Sequence, residues 1–213
     1  TPYIPFMLEG IWVTLKFVGV ALVVGFILGT LLALCKIGKV KVLNWFAIAY
    51  TSIFRGTPLI LQLMTFYFAI PQLTGYDISP FLSAVLAFGL NSAAYISEII
   101  RAGIQAVDKG QTEAAMALGV PYRQMMKDII LPQALKNILP ALMNEIITLT
   151  KESALVSTIS VLDLMRRAQV VGADIYRNFE PLLFVGLIYW IMVFGLSTIG
   201  KVLERRLKVS DQS

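Results

Sequence analysis

The amino-acid sequence predicts an all-α membrane protein with five transmembrane helices in a single domain, residues 1–213. Of its 213 residues, 57% are hydrophobic and 15% are charged, and the mean hydropathy is +0.76. Soluble domains carry about 25% charged residues. The apolar residues also fall in runs of about 20 or more, the length that an α-helix needs to cross the hydrocarbon layer. The predicted spans are residues 8–35, 42–70, 79–100, 133–160 and 181–203, with a long loop at 101–132.

The distribution of basic residues predicts the orientation of these spans. The formal net charge is +5, and the basic residues mostly flank apolar runs, which argues against a nucleic-acid partner. Twelve Lys or Arg residues lie in the segments 36–41, 101–136 and 201 onward, whereas the opposite loops carry only Arg166, Arg167 and Arg177. Because cytoplasmic loops are enriched in Lys and Arg, we expect loop 101–132 and the C-terminus in the cytoplasm. The N-terminus is then expected outside.

Several kinds of chemistry are absent from the sequence. The chain has no histidine, which excludes a His-based metal site, and its single Cys35 excludes an internal disulfide. It contains no GxxxxGK[ST] phosphate-binding loop and no nucleophile motif of the Gly-x-Ser-x-Gly type. We therefore expect no catalytic residue, metal or cofactor in this chain, and any energy source must be a partner.

The first two spans carry features that predict close packing and a kink. Gly19, Gly25 and Gly29 should let a neighbouring helix approach the first span closely. The second span is interrupted by Arg55-Gly56-Thr57-Pro58, where the proline removes a helix donor and the glycine loosens the backbone. We expect a kink or gate at residues 55–58, with Arg55 facing protein or water, or snorkelling beside the kink.

The third span leads into an elbow, residues 111–132. Glu98 and Arg101, three residues apart near the end of the span, should pair on one helix face. Residues 111–118 are good helix formers, and Gly119 supplies a tight turn because glycine takes positive φ cheaply. Pro121 restarts the chain, and a second short helix is expected to end near Pro132.

The last part of the chain combines two apolar spans with several polar groups. Residues 166–180 read as a polar loop before the last span, which is uncharged over residues 181–200. Polar groups that are costly in lipid are expected to line a substrate path. These candidates are Asn91, Glu145, Glu152 and Asp163. Each has a plainer interpretation: a bond to a neighbouring helix for Asn91, a structural role for Glu145, pairing with Lys151 or helix capping for Glu152, and a solvated outer charge for Asp163.

The elbow carries a pattern that resembles a known family. An EAA triplet, then Gly, Ile and Leu-Pro at fixed spacing, resembles the cytoplasmic loop of ABC importer permeases that docks into the ATPase subunit; the matching residues are Glu113, Ala114, Ala115, Gly119, Ile129, Leu131 and Pro132. The string FRGTPLILQL, residues 54–63, resembles the polar amino-acid branch of that family, as does the string at 93–119. Residues 151–164, KESALVSTISVLDL, resemble the branch with Glu152 and Ala154 in place of its usual Asp and Ser.

The resemblance implies a type I ABC importer permease fold and a set of partners. These are two cytoplasmic ATPase subunits that hold ATP and Mg, a second permease subunit (a copy or close paralogue), and an external amino-acid-binding protein. The resemblance also implies that the protein is located in a bacterial inner membrane. The ATPase contact would comprise Glu113, Ala114, Ala115, Leu118 and Gly119. The carboxylates suit a basic amino acid such as arginine, lysine or histidine, whose own carboxylate a broken-helix N-terminus or an exposed amide would satisfy.

Three other interpretations stay open from the sequence. The chain could be a channel or an ion-coupled secondary carrier that transports without ATP hydrolysis. It could be an accessory membrane subunit that holds the ATPase but binds no substrate. The elbow could also be an amphipathic helix pair lying on the membrane surface, without a partner.

Overall fold

A computed structural model describes residues 3–209, and this part of the chain is helical without strands, which confirms the predicted all-α class. The first five α-helices are α1 Tyr3–Ile37, α2 Lys41–Gly56, α3 Leu59–Met64, α4 Ile70–Thr74 and α5 Pro80–Gln105. The other five are α6 Lys109–Ala117, α7 Tyr122–Met125, α8 Leu131–Glu152, α9 Leu164–Asp174 and α10 Phe179–Val209. Two π-helical turns, Thr65–Ala69 and Met126–Ile130, and a 3-10 helix, Ser153–Ile159, complete the described elements.

Three of the described helices, α1, α5 and α10, are long and apolar enough to cross a membrane. The pair formed by Lys41–Gly56 and Leu59–Thr74 meets the same criteria jointly, but it is bent by 101° and is either a broken span or a re-entrant loop. The predicted span 133–160 corresponds to α8 and the following 3-10 helix, and it does not meet these criteria. The number of five spans therefore stays a prediction.

Helices α1 and α5 run side by side in the same direction and form the centre of the fold. A Cβ added to Gly25 would lie 2.9 Å from the Ser92 Cβ, and one added to Gly29 would lie 2.9 Å from the Ala93 carbonyl oxygen. These two glycines thus permit the predicted close approach. The expectation for Gly19 was wrong, since no atom lies within 4 Å of a Cβ placed there. Gly19 precedes Gly25 by six residues and points about 120° away around the helix.

Gly10 makes the closest approach of α1 to α9, and it supports a prediction for stability. A Cβ at Gly10 would lie 2.6 Å from the Leu164 Cα and 2.8 Å from the Leu164 nitrogen. Because backbone atoms cannot rotate away, we expect Gly10→Ala to lower the free energy of unfolding by about 2 kcal/mol. The matched control is Gly19→Ala, which enters open space and should leave the stability unchanged or slightly raised. Thermal unfolding in detergent measures both, and equal effects would contradict the packing.

The largest hydrophobic cluster joins α1, α3, α5 and the 3-10 helix. Phe17 and Phe88 are fully buried there, with ring centroids 4.9 Å apart and ring planes at 81°. Edge-to-face pairs of this kind add to the stabilisation from buried area. A second cluster packs α9 between α1 and α10, around Leu164, Ala168 and Val185. Residues 164–174 are therefore a packed helix, and the prediction of a polar loop at 166–180 was wrong for most of its length.

Both π-helical turns end just before an X-Pro pair. The amide of Ile70 donates to the Thr65 carbonyl, and the amide of Leu131 donates to the Met126 carbonyl, so both bonds span five residues. Pro71 and Pro132 follow directly. Proline has no N–H and its ring clashes with the carbonyl four residues earlier, and the wider π turn relieves this conflict. The elbow's second helix consequently continues through Pro132 into α8, contrary to the prediction that it ends there.

One end of the bundle gathers the segments that are rich in Lys and Arg. The Lys36 ammonium at the end of α1 pairs with Glu98 near the end of α5. Gly103 of α5 lies against Ile138 of α8, and Gly200 of α10 packs against Met143 near the middle of α8. The ends of α1, α5 and α10, and with them the elbow, therefore lie on the same side of the fold. The start of α1 and the turn between α9 and α10 lie at the other end.

Candidate functional site

The chain breaks between α2 and α3 at the predicted position. Thr57 is extended, with φ −120° and ψ 145°, as expected for a residue before proline. The break leaves carbonyls at the end of α2 without helical partners, and two side chains satisfy them. The Gln62 amide donates to the carbonyls of Phe54 at 2.9 Å and Thr57 at 3.2 Å, and the Asn91 amide donates to Phe54 at 2.9 Å. The structure therefore contains a hydrogen-bonded break at the position of the predicted kink or gate.

A cavity of about 490 Å³ opens beside this break. Its walls come from the break itself, from α5 and from α8. Seven of the sequence-predicted site residues line it together: Arg55, Gly56, Thr57, Pro58, Asn91, Glu145 and Glu152. Three further lining residues were missed from the sequence, namely Leu59, Tyr95 and Thr148. Helical spacing could have indicated two of them, because Tyr95 follows Asn91 by four residues and Thr148 lies between Glu145 and Glu152 on one face of α8.

Asp163 does not line this cavity. Its side chain is buried and caps the start of α9, where it accepts hydrogen bonds from the amides of Met165 at 3.3 Å and Arg166 at 2.8 Å. The Tyr189 hydroxyl lies 3.4 Å from the same carboxylate. The structure thus gives Asp163 a helix-capping function and separates it from the other candidate residues.

Two carboxylates give the cavity a negative wall. The Ser92 hydroxyl donates to Glu145 at 3.0 Å. Within the described part of the chain, neither Glu145 nor Glu152 forms an ion pair with a Lys or Arg within 4 Å. Charged groups inside a membrane protein are costly unless they are paired or face a water-filled cavity. This wall can therefore hold a cation.

Arg55 places a positive charge on the part of the cavity wall that the break forms. Its guanidinium lies 5.2 Å from the centre of the Tyr95 ring and 3.9 Å from Glu98. Glu98 is already engaged, because its two oxygens accept from Lys36 and, at 2.6 Å, from Arg101. The i, i+3 pairing of Glu98 with Arg101 confirms the sequence prediction. Three cations thus share one carboxylate, and Arg55 is the most weakly paired of them.

The elbow has the predicted tight turn. Gly119 adopts φ 71°, the left-handed conformation that favours glycine. The Gly119 amide donates to Met116 at 3.0 Å and the Val120 amide donates to Ala115 at 3.0 Å, which closes the end of α6. A small apolar cluster of Ala115, Met125 and Ile130 fills the inside of the bend. The elbow therefore has its own core and can act as a rigid unit.

The outer surface of the elbow carries three exposed large apolar residues around the turn. Leu118 is 82% exposed, and Met116 and Tyr122 are also largely exposed. Exposed apolar groups that cluster on one surface mark contact sites for partners. Glu113, Ala114 and Gly119 are exposed as well, whereas Ala115 is only 3% exposed. Ala115 thus belongs to the core of the elbow, which corrects its assignment to the contact surface.

Comparison with known protein families gives one match over most of the chain. Residues 25–209 match the family described as "Binding-protein-dependent transport system inner membrane component". The chain belongs to this family. Membership confirms the resemblance that the elbow motif indicated, and it makes the chain the inner-membrane permease component, as distinct from the ATPase subunit.

Several curated relatives of the chain are permease proteins of amino-acid transport systems. The chain is 60% identical over 210 residues to the arginine transport system permease protein ArtQ of Bacillus subtilis, covering 99% of this chain and 96% of the relative. It is 51% identical to a putative glutamine transport system permease protein GlnP of Rickettsia felis, covering 98% and 96%. It is 38% identical to the glutamate/aspartate import permease protein GltK of Escherichia coli, covering 96% and 95%.

A crystal structure of an amino acid ABC transporter with histidines aligns with a TM-score of 0.93 at 43% identity, covering 96% of this chain and 95% of that chain. An inward-facing structure of the MetNI methionine ABC transporter aligns with a TM-score of 0.80 at 23% identity, covering 97% and 98%. The second alignment supports the fold alone. Together they confirm the predicted type I importer permease fold.

Proposed function

We propose that this chain is the permease subunit of an ATP-driven importer of amino acids, and that it prefers basic ones. The observation that carries the preference is the cavity whose lining combines two carboxylates on α8, Glu145 and Glu152, with Arg55 at the break. The names of the chain's relatives refer to arginine, putative glutamine and glutamate/aspartate transport. Family membership alone therefore leaves the substrate of this chain open.

The carboxylate wall supports a cationic side chain as the ligand. Glu145 and Glu152 lie on one face of α8 and have no ion-pair partner among the described residues. A guanidinium or ammonium group of the substrate would supply that partner. The volume of about 490 Å³ is large enough for an extended amino acid such as arginine.

The positive wall supports recognition of the substrate's own carboxylate. Arg55 presents a planar fork of donors that suits a carboxylate, and Glu98 satisfies it only weakly at 3.9 Å. This assignment replaces the broken-helix N-terminus or free amide expected from the sequence. Asn91 contributes less to binding in this scheme, because its amide already bonds to Phe54 and to Gln62 at 3.1 Å.

Transport requires partners at both ends of the bundle. The elbow would dock on a cytoplasmic ATPase subunit that holds ATP and Mg, and a second permease subunit, a copy or a paralogue, would complete the path. An external binding protein would deliver the substrate. The basic end of the bundle would face the cytoplasm of a bacterial cell, with the N-terminus outside. ATP and substrate must stabilise different states of the assembly for hydrolysis to drive import.

Uptake in proteoliposomes tests this function. The permease is reconstituted with its ATPase subunit and binding protein, and labelled arginine, lysine, histidine and glutamine are compared with and without ATP. We expect ATP-dependent uptake that favours the basic amino acids. Uptake of glutamine alone would contradict the proposed preference for basic amino acids but would agree with ATP-driven import of amino acids. Flux without ATP hydrolysis would contradict the proposal that this chain belongs to an ATP-driven importer.

Glu152→Gln is expected to raise the KM for arginine at least tenfold and to leave glutamine uptake nearly unchanged. The substitution keeps the shape but removes one charge-assisted contact, which contributes about 1.5–3 kcal/mol, and each 1.4 kcal/mol is tenfold in affinity. Asp163→Asn is the matched control, because it makes the same chemical change outside the cavity and asparagine still caps a helix. Equal KM values for wild type and Glu152→Gln would favour an accessory subunit that binds no substrate.

A further inference from the structure

A second pocket, of about 270 Å³, lies at the end of the bundle where the segments rich in Lys and Arg gather. The end of α1, the first three turns of α2 and the last part of α5 enclose it. Its lining residues are Lys36, Asn44, Ile48, Thr51, Glu98 and Arg101. It shares no lining residue with the cavity beside the break, so it is a separate site.

The lining of this pocket carries an excess of positive charge. Lys36 and Arg101 are cations, and Glu98 is the one carboxylate among the six lining residues. That carboxylate is already offset, because it accepts hydrogen bonds from both cations. The Arg55 guanidinium lies 3.9 Å from the same carboxylate and adds to the surplus. The charge balance therefore favours an anion as the ligand of the pocket.

Two lining residues keep hydrogen-bond donors that the described part of the chain does not use. The Arg101 guanidinium has five N–H groups. Two of them bond to Glu98 at 3.1 and 2.6 Å, and one bonds to Gln105 at 2.6 Å. The Asn44 amide has two N–H groups, and one bonds to the Lys36 carbonyl at 2.7 Å. The other donors of Arg101 and Asn44 remain for a ligand, and the planar guanidinium suits a phosphate.

The outside of α2 beside the pocket is apolar. Trp45 and Ile48 lie three residues apart on this helix and are 72% and 53% exposed. Ile48 also lines the pocket, so the pocket and this apolar surface are continuous. Lys39 and Lys41, just before Trp45, are exposed as well. Exposed tryptophan and lysine side chains at the end of a membrane helix are typical of the level of the lipid headgroups.

We propose that this pocket binds the phosphate headgroup of an acidic phospholipid. Arg101 and Asn44 donate to the phosphate oxygens, and the acyl chains lie along Trp45 and Ile48 on the outside of α2. Basic pockets between membrane helices bind acidic headgroups in this way. The continuous apolar surface favours a lipid over free phosphate, because a soluble anion makes no use of it. The inference goes beyond the proposed function and does not depend on which amino acid is carried.

The test uses the permease purified together with its ATPase subunit and stripped of lipid by detergent exchange. Phosphatidylglycerol is the probe, phosphatidylcholine is the neutral lipid, and inorganic phosphate is the soluble anion. Native mass spectrometry measures the fraction of complexes that hold a lipid as the lipid concentration rises. We expect the half-saturating concentration of phosphatidylglycerol to be about tenfold below that of phosphatidylcholine. Millimolar phosphate should not displace the bound lipid.

Arg101→Gln is expected to raise the half-saturating concentration of phosphatidylglycerol about tenfold, because it removes the cation and its free donors from the pocket. The pair of Lys36 with Glu98 stays in place in this variant, so the fold is retained. Asn44→Leu removes the other free donor and is expected to raise the same concentration about fivefold.

Arg123→Gln is the matched control, since it makes the same change at an exposed arginine of the elbow, outside the pocket. It should leave the half-saturating concentration unchanged. Equal binding of the two lipids by wild type, or equal losses in Arg101→Gln and Arg123→Gln, would overturn the site. Displacement by millimolar phosphate would assign the pocket to a soluble anion. Lipid that binds the isolated permease but not its complex with the ATPase subunit would assign the pocket to the protein partner, and either result would overturn the lipid proposal.

Discussion

Glu98→Ala is expected to lower the free energy of unfolding by about 3–5 kcal/mol, the range for breaking a buried ion pair by removing one partner. The Lys36 side chain is only 3% exposed, and its ammonium bonds to Glu98, to Thr51 at 2.9 Å and to Ser97 at 3.3 Å. Without Glu98 this ammonium stays buried among neutral hydroxyls, with the Arg101 cation close by. Denaturant-induced unfolding of the purified permease in detergent measures the loss.

Two controls separate buried charge from general damage. The double variant Lys36→Met/Glu98→Gln removes both buried charges and should recover most of the lost stability, because an apolar replacement of a buried pair is often nearly neutral. Glu180→Gln breaks the exposed pair with Arg177 and should change the stability by less than about 1 kcal/mol. A double variant as unstable as Glu98→Ala would contradict the assignment of the loss to the unpaired Lys36.

Of the two short ion pairs of Glu98, with Arg101 and with Lys36, only one could be predicted from the sequence. The pair of Glu98 with Arg101 was predictable because residues three apart on a helix are neighbours. Its pair with Lys36 spans 62 positions, and nothing in the spacing of the two residues signals that contact. The sequence analysis counted Lys36 with the basic segment 36–41, whereas the structure buries its side chain against α5.

Local backbone features were predictable where a residue type strongly favours one backbone conformation, as glycine and proline do at turns and breaks. Gly119 predicted a turn, and Thr57-Pro58 predicted a break in the helix. The size of the bend, 101°, could not be predicted, because the Phe54 carbonyl accepts hydrogen bonds from the side chains of Gln62 and Asn91, and Asn91 belongs to another helix. Asp163 carried a readable signal that was missed, since an Asp just before an apolar, helix-forming run is a typical N-cap.

The cavity was partly predictable from the cost of polar groups in lipid. Asn91, Glu145 and Glu152 stand out in apolar runs, and three elements bring them to one cavity with the break. Their relative placement depends on tertiary packing, which no single helix encodes. The positive charge in the cavity lining was therefore missed, because Arg55 was assigned to the kink rather than to binding.

Leu118→Asp is expected to weaken association with the ATPase subunit on the order of a hundredfold and to abolish substrate-stimulated ATP hydrolysis. Leu118 is the most exposed large apolar residue of the elbow, and the rigid turn at Gly119 holds it in place. An aspartate at the centre of an apolar contact loses buried area and leaves a charge without a partner, together about 3 kcal/mol, and each 1.4 kcal/mol is tenfold in affinity. Co-purification of the ATPase subunit and its rate of hydrolysis measure the effect.

Leu73→Asp is the matched control for this substitution, since Leu73 is equally exposed at 85% but lies on α4, outside the elbow. It should co-purify with the ATPase subunit as wild type does. Gly119→Ala tests the turn separately: the added Cβ meets no atom of this chain within 4 Å, so within the chain the change acts through the strain of φ 71°. We expect it to weaken coupling about tenfold at most. ATPase binding unchanged in Leu118→Asp would mean that the elbow is a membrane-surface helix pair, and transport by this chain would then have to be coupled through another surface.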